Sequence, residues 1–337
     1  MSARILVTLG PASLSREVVE RCTAAGVYVF RINLSHTPLG VVEETIRAIQ
    51  GWTDVPVCLD SEGAQMRNQT MVGGTAEFVQ GAMVRIPFEP VEGDAGAISF
   101  TPIGTARQFV AGDIIHVDFD SVRLRVAEVN GDHCMAEVET GGIVGSNKAA
   151  DVDREVDLAP ITPKDEAAIQ IGRRLGLSHF ALSFANRATD VERMRTLCGD
   201  DARIISKIES PSGLHNLDDI LSVTDEILID RGDLSRRVPI EKVPFLQRRI
   251  IAEANERGVP VHVATNLLES MVTTRSPTRA EVNDVVSTLL MGADGLVLAA
   301  ETAIGSFPVQ AVEMIRSLIS EVDQWAPDAT IAEVVGS

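Results

Sequence analysis

Residues 203–210 read RIISKIES, an isoleucine-rich, strand-like run that carries Lys207 and Glu209 where apolar side chains belong. Side chains alternate faces along a strand, so these two charges share a face and can meet at one site. Comparable runs also end in polar groups: Arg31, Asn33, Ser35 and His36; Asp60 and Ser61, with Arg67 beyond; Arg231 and Asp233; Thr265 and Asn266; and Glu301. Two carboxylates such as Glu209 and Asp233, completed by water, suit a hard divalent cation such as Mg²⁺ or Mn²⁺. A lysine beside that ion is placed to stabilise negative charge on a phosphoryl group in transfer or on an enolate. Arg31 and Arg67 offer planar forks for phosphate or carboxylate. Asn33, Ser35, Asp60 and Ser61 make an all-oxygen set suited to a second cation. Each residue also has a purely structural alternative, in which Glu209 pairs with Lys207, Asp60 pairs with Arg31 and Thr265 caps a helix.

The elements that must position these groups follow from periodicity. Short apolar runs at 5–10, 27–35, 55–61, 179–184, 203–209, 226–233, 259–266 and 294–301 alternate with amphipathic helical stretches. Eight such βα units predict an α/β fold, a (β/α)8 TIM barrel, whose chemistry lies at the C-terminal tips of the strands. Thr162-Pro163, Thr189 with Glu192, and Thr278 with Glu281 mark helix starts, and the last helix is expected at about 308–324. One gap breaks the rhythm. After strand 3 the chain alternates at period two through GDIIHVDFDSVRLRVAEVNGDHCMAEVETGG, with Asn130-Gly131 as a hairpin turn. The expected organisation is barrel over 1–67, an inserted β-rich lid domain over 68–158, barrel again over 159–325 and a loosely held tail over 326–337. An insert at that position is expected to close over the site.

A net charge of −18 argues against nucleic acid or an anionic membrane surface as a partner. No apolar run approaches the ~20 residues of a membrane span, and the chain opens on the strand-like ARILVTLG rather than a signal peptide, so a cytoplasmic location is expected. The four cysteines are far apart with no C-x-x-C pair, which reads as reduced core thiols. The R-G-D triplet at 231–233 and the glycine-rich GGIVGSNK at 141–148 lack the context of an adhesion signal or a phosphate-binding loop.

The segments TLGPAS (8–13), RINLSH (31–36), LDSEGAQMR (59–67), ISKIES (205–210), DRGDLS (230–235), ATNLLESM (264–271), PTRAEVNDV (277–285) and AAETAIG (299–305) resemble, in order, the motifs of the pyruvate kinase family. The resemblance implies a phosphotransferase acting between phosphoenolpyruvate (or pyruvate) and ADP (or ATP), with Mg²⁺ or Mn²⁺ and often K⁺. Carried over by position, Lys207 would stabilise the phosphoryl group in flight, and Glu209 and Asp233 would hold the divalent ion. Arg31 would contact the phosphoryl group, Gly232 would offer its N–H to the substrate carboxylate, and Thr265 would assist at the enolate. Asn33, Ser35, Asp60 and Ser61 would line the K⁺ site, and Asn33, His36, Arg67 and Lys164 would face the nucleotide. A homo-oligomer is expected. The family's C-terminal domain, which usually carries effector binding, is expected to be missing.

The departures cluster around the same pocket. Glu62, Ala64 and Gln65 stand where the family has lysine, proline and glutamate, the last of these a charge that helps arrange the K⁺ pocket. Asn186 stands where an arginine is usual, unless Arg187 substitutes from one residue away, and Asp230 replaces an alanine, Ser235 a glycine, Asn266 a glutamine, Ala299 a serine and Ile304 a lysine. Positive charge is lost and negative charge gained around a site meant for anions. Two alternatives therefore stay open: another metal-dependent reaction on phosphoenolpyruvate, pyruvate or a related 2-oxo acid, and a non-catalytic pyruvate kinase-like binding protein.

Overall fold

The eight apolar runs form the strands of a closed parallel barrel in a computed structural model that describes residues 3–118, 120–154 and 156–335. Sequential neighbours pair around the ring: β1 (Arg4–Leu9), β2 (Val29–Asn33), β3 (Val57–Asp60), β4 (His179–Leu182), β5 (Arg203–Ile208), β6 (Glu226–Asp230), β7 (Val261–Ala264) and β8 (Gly295–Leu298). The outward strand residues, such as Val7, Ile32, Leu59, Ile204 and Ile229, pack against the surrounding helices in one buried core. Burying each such side chain contributes roughly 1.5–3 kcal/mol.

The inward residues form layers. Each strand gives one side chain to an apolar ring of Leu6, Val29, Cys58, Ala181, Ile205, Leu228, Ala264 and Val297. Two residues further along the strands the inward set turns polar, with Thr8, Arg31, Asp60, Ser183, Lys207 and Asp230, all buried. Two residues earlier lie Arg4, His179, Arg203, Glu226, His262 and Gly295. The barrel is thus polar at both ends and apolar between.

The chain divides into two compact units, Met1–Gly63 with Pro160–Ser337, and Ala64–Ala159, so residues 64–67 and 159 go with the expected insert of 68–158. The second unit has a seven-stranded sheet and a separate two-stranded one, around a core that includes Phe78, Ile86, Phe100, Leu124 and Val138. Asn130-Gly131 turns the hairpin of Val122–Val129 with His133–Thr140, closed by Asn130 N–H donating to the His133 carbonyl at 2.8 Å.

Helix starts follow their capping signals with one exception. Thr162 and Thr278 cap the helices Pro163–Arg174 and Arg279–Leu290, with Asp165 and Glu281 completing reciprocal boxes. The expected Thr189–Glu192 box does not form. The helix Ala188–Cys198 starts two residues earlier, and Asp190 accepts the Arg187 and Asn186 N–H groups at 2.9 and 3.2 Å. An acid three residues after Arg187 outcompetes the later pair because it satisfies the first unbonded donors. The last long helix runs Pro308–Gln324, and the short helix Ile331–Val335 beyond it is exposed. All four cysteines are buried and unpaired. No helix among the described residues is long and apolar enough to cross a membrane.

Candidate active site

Lys207 enters the barrel from β5 and is 5% exposed. Its ammonium donates to Ser183 Oγ at 3.0 Å and lies 3.2 Å from Glu209 Oε2, 3.5 Å from Asp230 Oδ2 and 3.7 Å from Asp60 Oδ1. Burial favours the neutral amine, but Asp60, Glu209 and Asp230 outweigh it and hold the amine protonated well above its ordinary range. Arg31 lies beside this group. Its Nε donates to Thr8 Oγ1 at 3.0 Å, and Nη1 sits 3.2 Å from Asp60 Oδ2. Ser183 joins the two cations by donating to Asp60 Oδ1 at 3.3 Å. The structural pairings Lys207–Glu209 and Arg31–Asp60 are therefore both present, as parts of one network.

That network is not satisfied from within. Arg31 Nη1, Asp60 Oδ2 and Glu209 Oε2 are buried without a hydrogen-bond partner. Such groups are costly unless a ligand completes them. Glu209, Asp230 and Asp233 each bring a carboxylate oxygen within 4.8 Å of the others. Burial raises the Glu209 carboxyl to about 8, with Lys207 opposing and Asp233 and Asp230 reinforcing the rise. Burial also works against ionisation of Asp230, but Lys207, the Thr265 hydroxyl and Arg31 keep it below its ordinary range. An all-oxygen, strongly anionic donor set fits a hard divalent cation. Asp233 reaches the group from the first turn of the helix Arg231–Arg237, not from the strand where the apolar run had placed it.

Two loops at these strand ends adopt left-handed backbone conformations. Phe184, after β4, has φ 51° and donates its N–H to Glu209 Oε1 at 2.7 Å. Thr265 and Asn266, after β7, have φ 75° and 56°. Arg231 holds that turn, donating to the Thr265 carbonyl from Nε at 3.1 Å and from Nη2 at 2.6 Å, while Nη1 pairs with Asp284 at 2.7 Å. Strain of this kind persists only where the surroundings enforce it. Thr265 is no helix cap: its hydroxyl donates to Asp230 Oδ1 at 2.7 Å. A Cβ on Gly232 would come within 2.8 Å of the Thr265 methyl, so this position takes glycine alone.

The remaining expected residues divide. Asn33 Oδ1 accepts the Ser35 N–H at 2.9 Å in a local turn, and Ser61 Oγ accepts the Ser183 N–H at 3.0 Å. Lys164 donates to Glu62 Oε1 at 2.8 Å and to the Leu34 carbonyl, so the charge of Glu62 is matched locally. His36 is exposed, and Arg67 belongs to the second unit, where it donates to the Asn147 carbonyl at 2.9 Å. Asn186 accepts the Ser210 hydroxyl and supports the turn that follows β5. Glu301 accepts the Leu268 and Ala299 N–H groups, a wholly structural task. Sequence reading missed Ser183 and the approach of the Asp230 carboxylate to Glu209 and Asp233. Their signal was period two: each lies two residues beyond an inward residue of the apolar ring. It also missed Asp165, which accepts the Glu62 and Gly63 N–H groups at 2.8 and 3.2 Å and fixes the segment after β3.

Comparison with known proteins places this geometry. The family model of the pyruvate kinase barrel domain matches residues 1–312. The pyruvate kinase of Methylorubrum extorquens is 34% identical over 329 residues, which cover 96% of this chain and 69% of that protein. Pyruvate kinase PKLR of Rattus norvegicus is 35% identical over 343 residues, covering 96% of this chain and 60% of its own. The pyruvate kinase of Thermococcus litoralis is 34% identical over 334 residues, covering 96% and 70%.

Proposed function

The chain belongs to the pyruvate kinase family, and from that premise we propose that it transfers a phosphoryl group between phosphoenolpyruvate and ADP. The observation that carries this reading is the position of Lys207, buried at the open end of the barrel between Ser183 and the carboxylates Glu209 and Asp230. In this reading Glu209 and Asp233 hold Mg²⁺ or Mn²⁺, which when bound neutralises the anions drawn together for reaction. Arg31, whose Nη1 is ion-paired with Asp60 but makes no hydrogen bond, contacts the phosphoryl group. The bond from phosphorus to the enol oxygen breaks as a new one forms to the terminal phosphate of ADP. Lys207 stabilises the charge spread over the transferring oxygens. Gly232 offers its N–H to the substrate carboxylate, and Thr265, held by Arg231, stands beside the enolate as it takes a proton on carbon. Asn33, Ser35, Asp60 and Ser61 remain the proposed K⁺ set, and His36 and Lys164 the proposed nucleotide contacts.

The test is pyruvate formation from phosphoenolpyruvate and ADP with Mg²⁺, in the unmodified chain and in Lys207→Met. Loss of a positioned cation should lower kcat by roughly 10²–10³ with substrate binding modestly changed. Turnover unaffected by Lys207→Met, or none that depends on ADP, overturns the assignment. Asp230 favours a second reading. With three cations, Arg31, Lys207 and the Arg236 that lies 3.4 Å from Asp233, set against four carboxylates, Asp60, Glu209, Asp230 and Asp233, the fully ionised site carries a formal charge of −1. That balance suits a less anionic substrate than phosphoenolpyruvate, such as pyruvate or a related 2-oxo acid, turned over with a metal but without nucleotide.

A further inference from the structure

We propose that Asp230 is a third protein ligand of the divalent cation, so that this chain assembles its metal site before any substrate anion arrives. The inference rests on the metal position of the reading above and adds to it a residue that reading does not use.

Asp230 closes β6 as an inward side chain, two residues beyond Leu228 of the apolar ring, and is buried. Its carboxylate, that of Glu209 and that of Asp233 each place one oxygen inside a common 4.8 Å span. Two of the three are fixed by donors at one oxygen, and their other oxygens face the Lys207 ammonium, Glu209 Oε2 at 3.2 Å and Asp230 Oδ2 at 3.5 Å. Asp230 Oδ1 takes the Thr265 hydroxyl at 2.7 Å, and Glu209 Oε1 takes the Phe184 N–H at 2.7 Å. Glu209 is 1% exposed, and its remaining oxygen, Oε2, is buried and accepts no hydrogen bond. Lys207 and Arg236, whose Nε lies 3.4 Å from Asp233 Oδ1, are two cations against three carboxylates, so with all three ionised the group keeps a formal charge of −1 that a divalent ion offsets. Buried charge left uncompensated is strongly unfavourable, and affinity for hard cations rises with the number and rigidity of charged ligands. Glu209 and Asp233 alone would be balanced by the two cations and would leave the ion to recruit a substrate anion; Asp230 supplies the additional negative charge.

The alternative is that Asp230 serves only as acceptor for Thr265 and counter-ion for Lys207. Mn²⁺ binding separates the two, read from the free-ion resonance signal during titration of the full chain without added anions, then with oxalate. Asp230→Asn keeps the volume and an acceptor for Thr265, and Asp230→Ala removes both. We expect each variant to bind Mn²⁺ about tenfold or more weakly than the unmodified chain. Oxalate should strengthen binding more in Asp230→Ala than in the unmodified chain, because it fills the vacated position. Equal Mn²⁺ affinity in all three proteins overturns the inference and leaves Glu209 and Asp233 as the metal site. Failure of the unmodified chain to bind Mn²⁺ even with oxalate overturns both. Thermal melts of the variants establish that each is folded.

Discussion

The two ends of the barrel use the same inward positions and similar residue types to opposite effect. At the C-terminal end, Arg31, Asp60, Lys207, Glu209 and Asp230 form a buried network in which three polar atoms lack hydrogen bonds. At the N-terminal end one carboxylate gathers every donor in reach. Glu226 accepts from Arg4 at 2.8 Å, Arg203 at 2.9 Å and His262 Nε2 at 2.7 Å, with the Tyr28 hydroxyl at 3.5 Å. Among the described residues only His262 Nδ1 is left without a bond there, and it lies against Gly295, where a Cβ would approach to 2.4 Å. Arg4 also stacks on the Tyr28 ring, and Tyr28 meets His179 edge to face. The closed end leaves one buried polar atom unbonded, and the open end leaves three on facing charged groups. Polar groups inside a barrel do not by themselves mark chemistry; a cluster of unsatisfied ones points to it.

The comparison breaks most visibly at Glu226. Glu226→Ala leaves the fully buried His262 imidazole unpaired, opens a cavity and takes the acceptor from two part-exposed guanidinium groups, and should cost roughly 3–5 kcal/mol of stability. Turnover per folded molecule should stay within a few-fold of the unmodified chain. Calorimetry with a parallel activity assay checks both, and a collapse of kcat at full stability would mean that the closed end takes part in the reaction.

A smaller effect follows from acid. Burial alone would raise Glu226, but His262, Arg203 and Arg4 outweigh it and bring it from 4.5 down to about 2. A depressed carboxylate contributes stability that is present above the ordinary value and disappears as pH falls through the folded one. The stability difference between the unmodified chain and Glu226→Gln should therefore shrink by roughly 3 kcal/mol between pH 6 and pH 2, as chemical denaturation at each pH can measure. A constant difference across that range contradicts the assignment.

The smallest predicted effect sharpens the other end. Ser183→Ala removes the hydroxyl that links Lys207 to Asp60. It should change stability by about 1 kcal/mol and lower turnover about tenfold with little change in KM, since Lys207 keeps its charge but loses its fixed place. Restoration of turnover by Ser183→Thr would identify positioning as the cause.

Much of this was legible because polar residues interrupt apolar runs only where something holds them. The eight strands, the inserted sheet with its Asn130-Gly131 turn, and the shared face of Lys207 and Glu209 all follow from periods of two and 3.6. What escaped was relational. Asp230 was visible as a charge, but its role depends on Thr265 and Lys207 from the two flanking strands, and no spacing along the chain encodes that. Glu226 and His262 stand alone in sequence and look like strand-end polarity until the barrel closes them on one another. Strands as short as Phe100–Thr101 carry too little pattern to read.

The apolar ring between the two layers behaves like the gap of a small capacitor. Four residues of strand separate the plates, about 13 Å at ~3.3 Å per residue. One plate carries the formal −1 of the fully ionised open end, and the other an excess of +1 from Arg4 and Arg203 against Glu226, leaving the imidazole aside. Across that gap each unit charge is felt by its opposite at about 1 kcal/mol for an effective dielectric of ~20. A change of charge at the closed end would thus register at the proposed cation site as a several-fold change in affinity, with no atom moved and no contact shared.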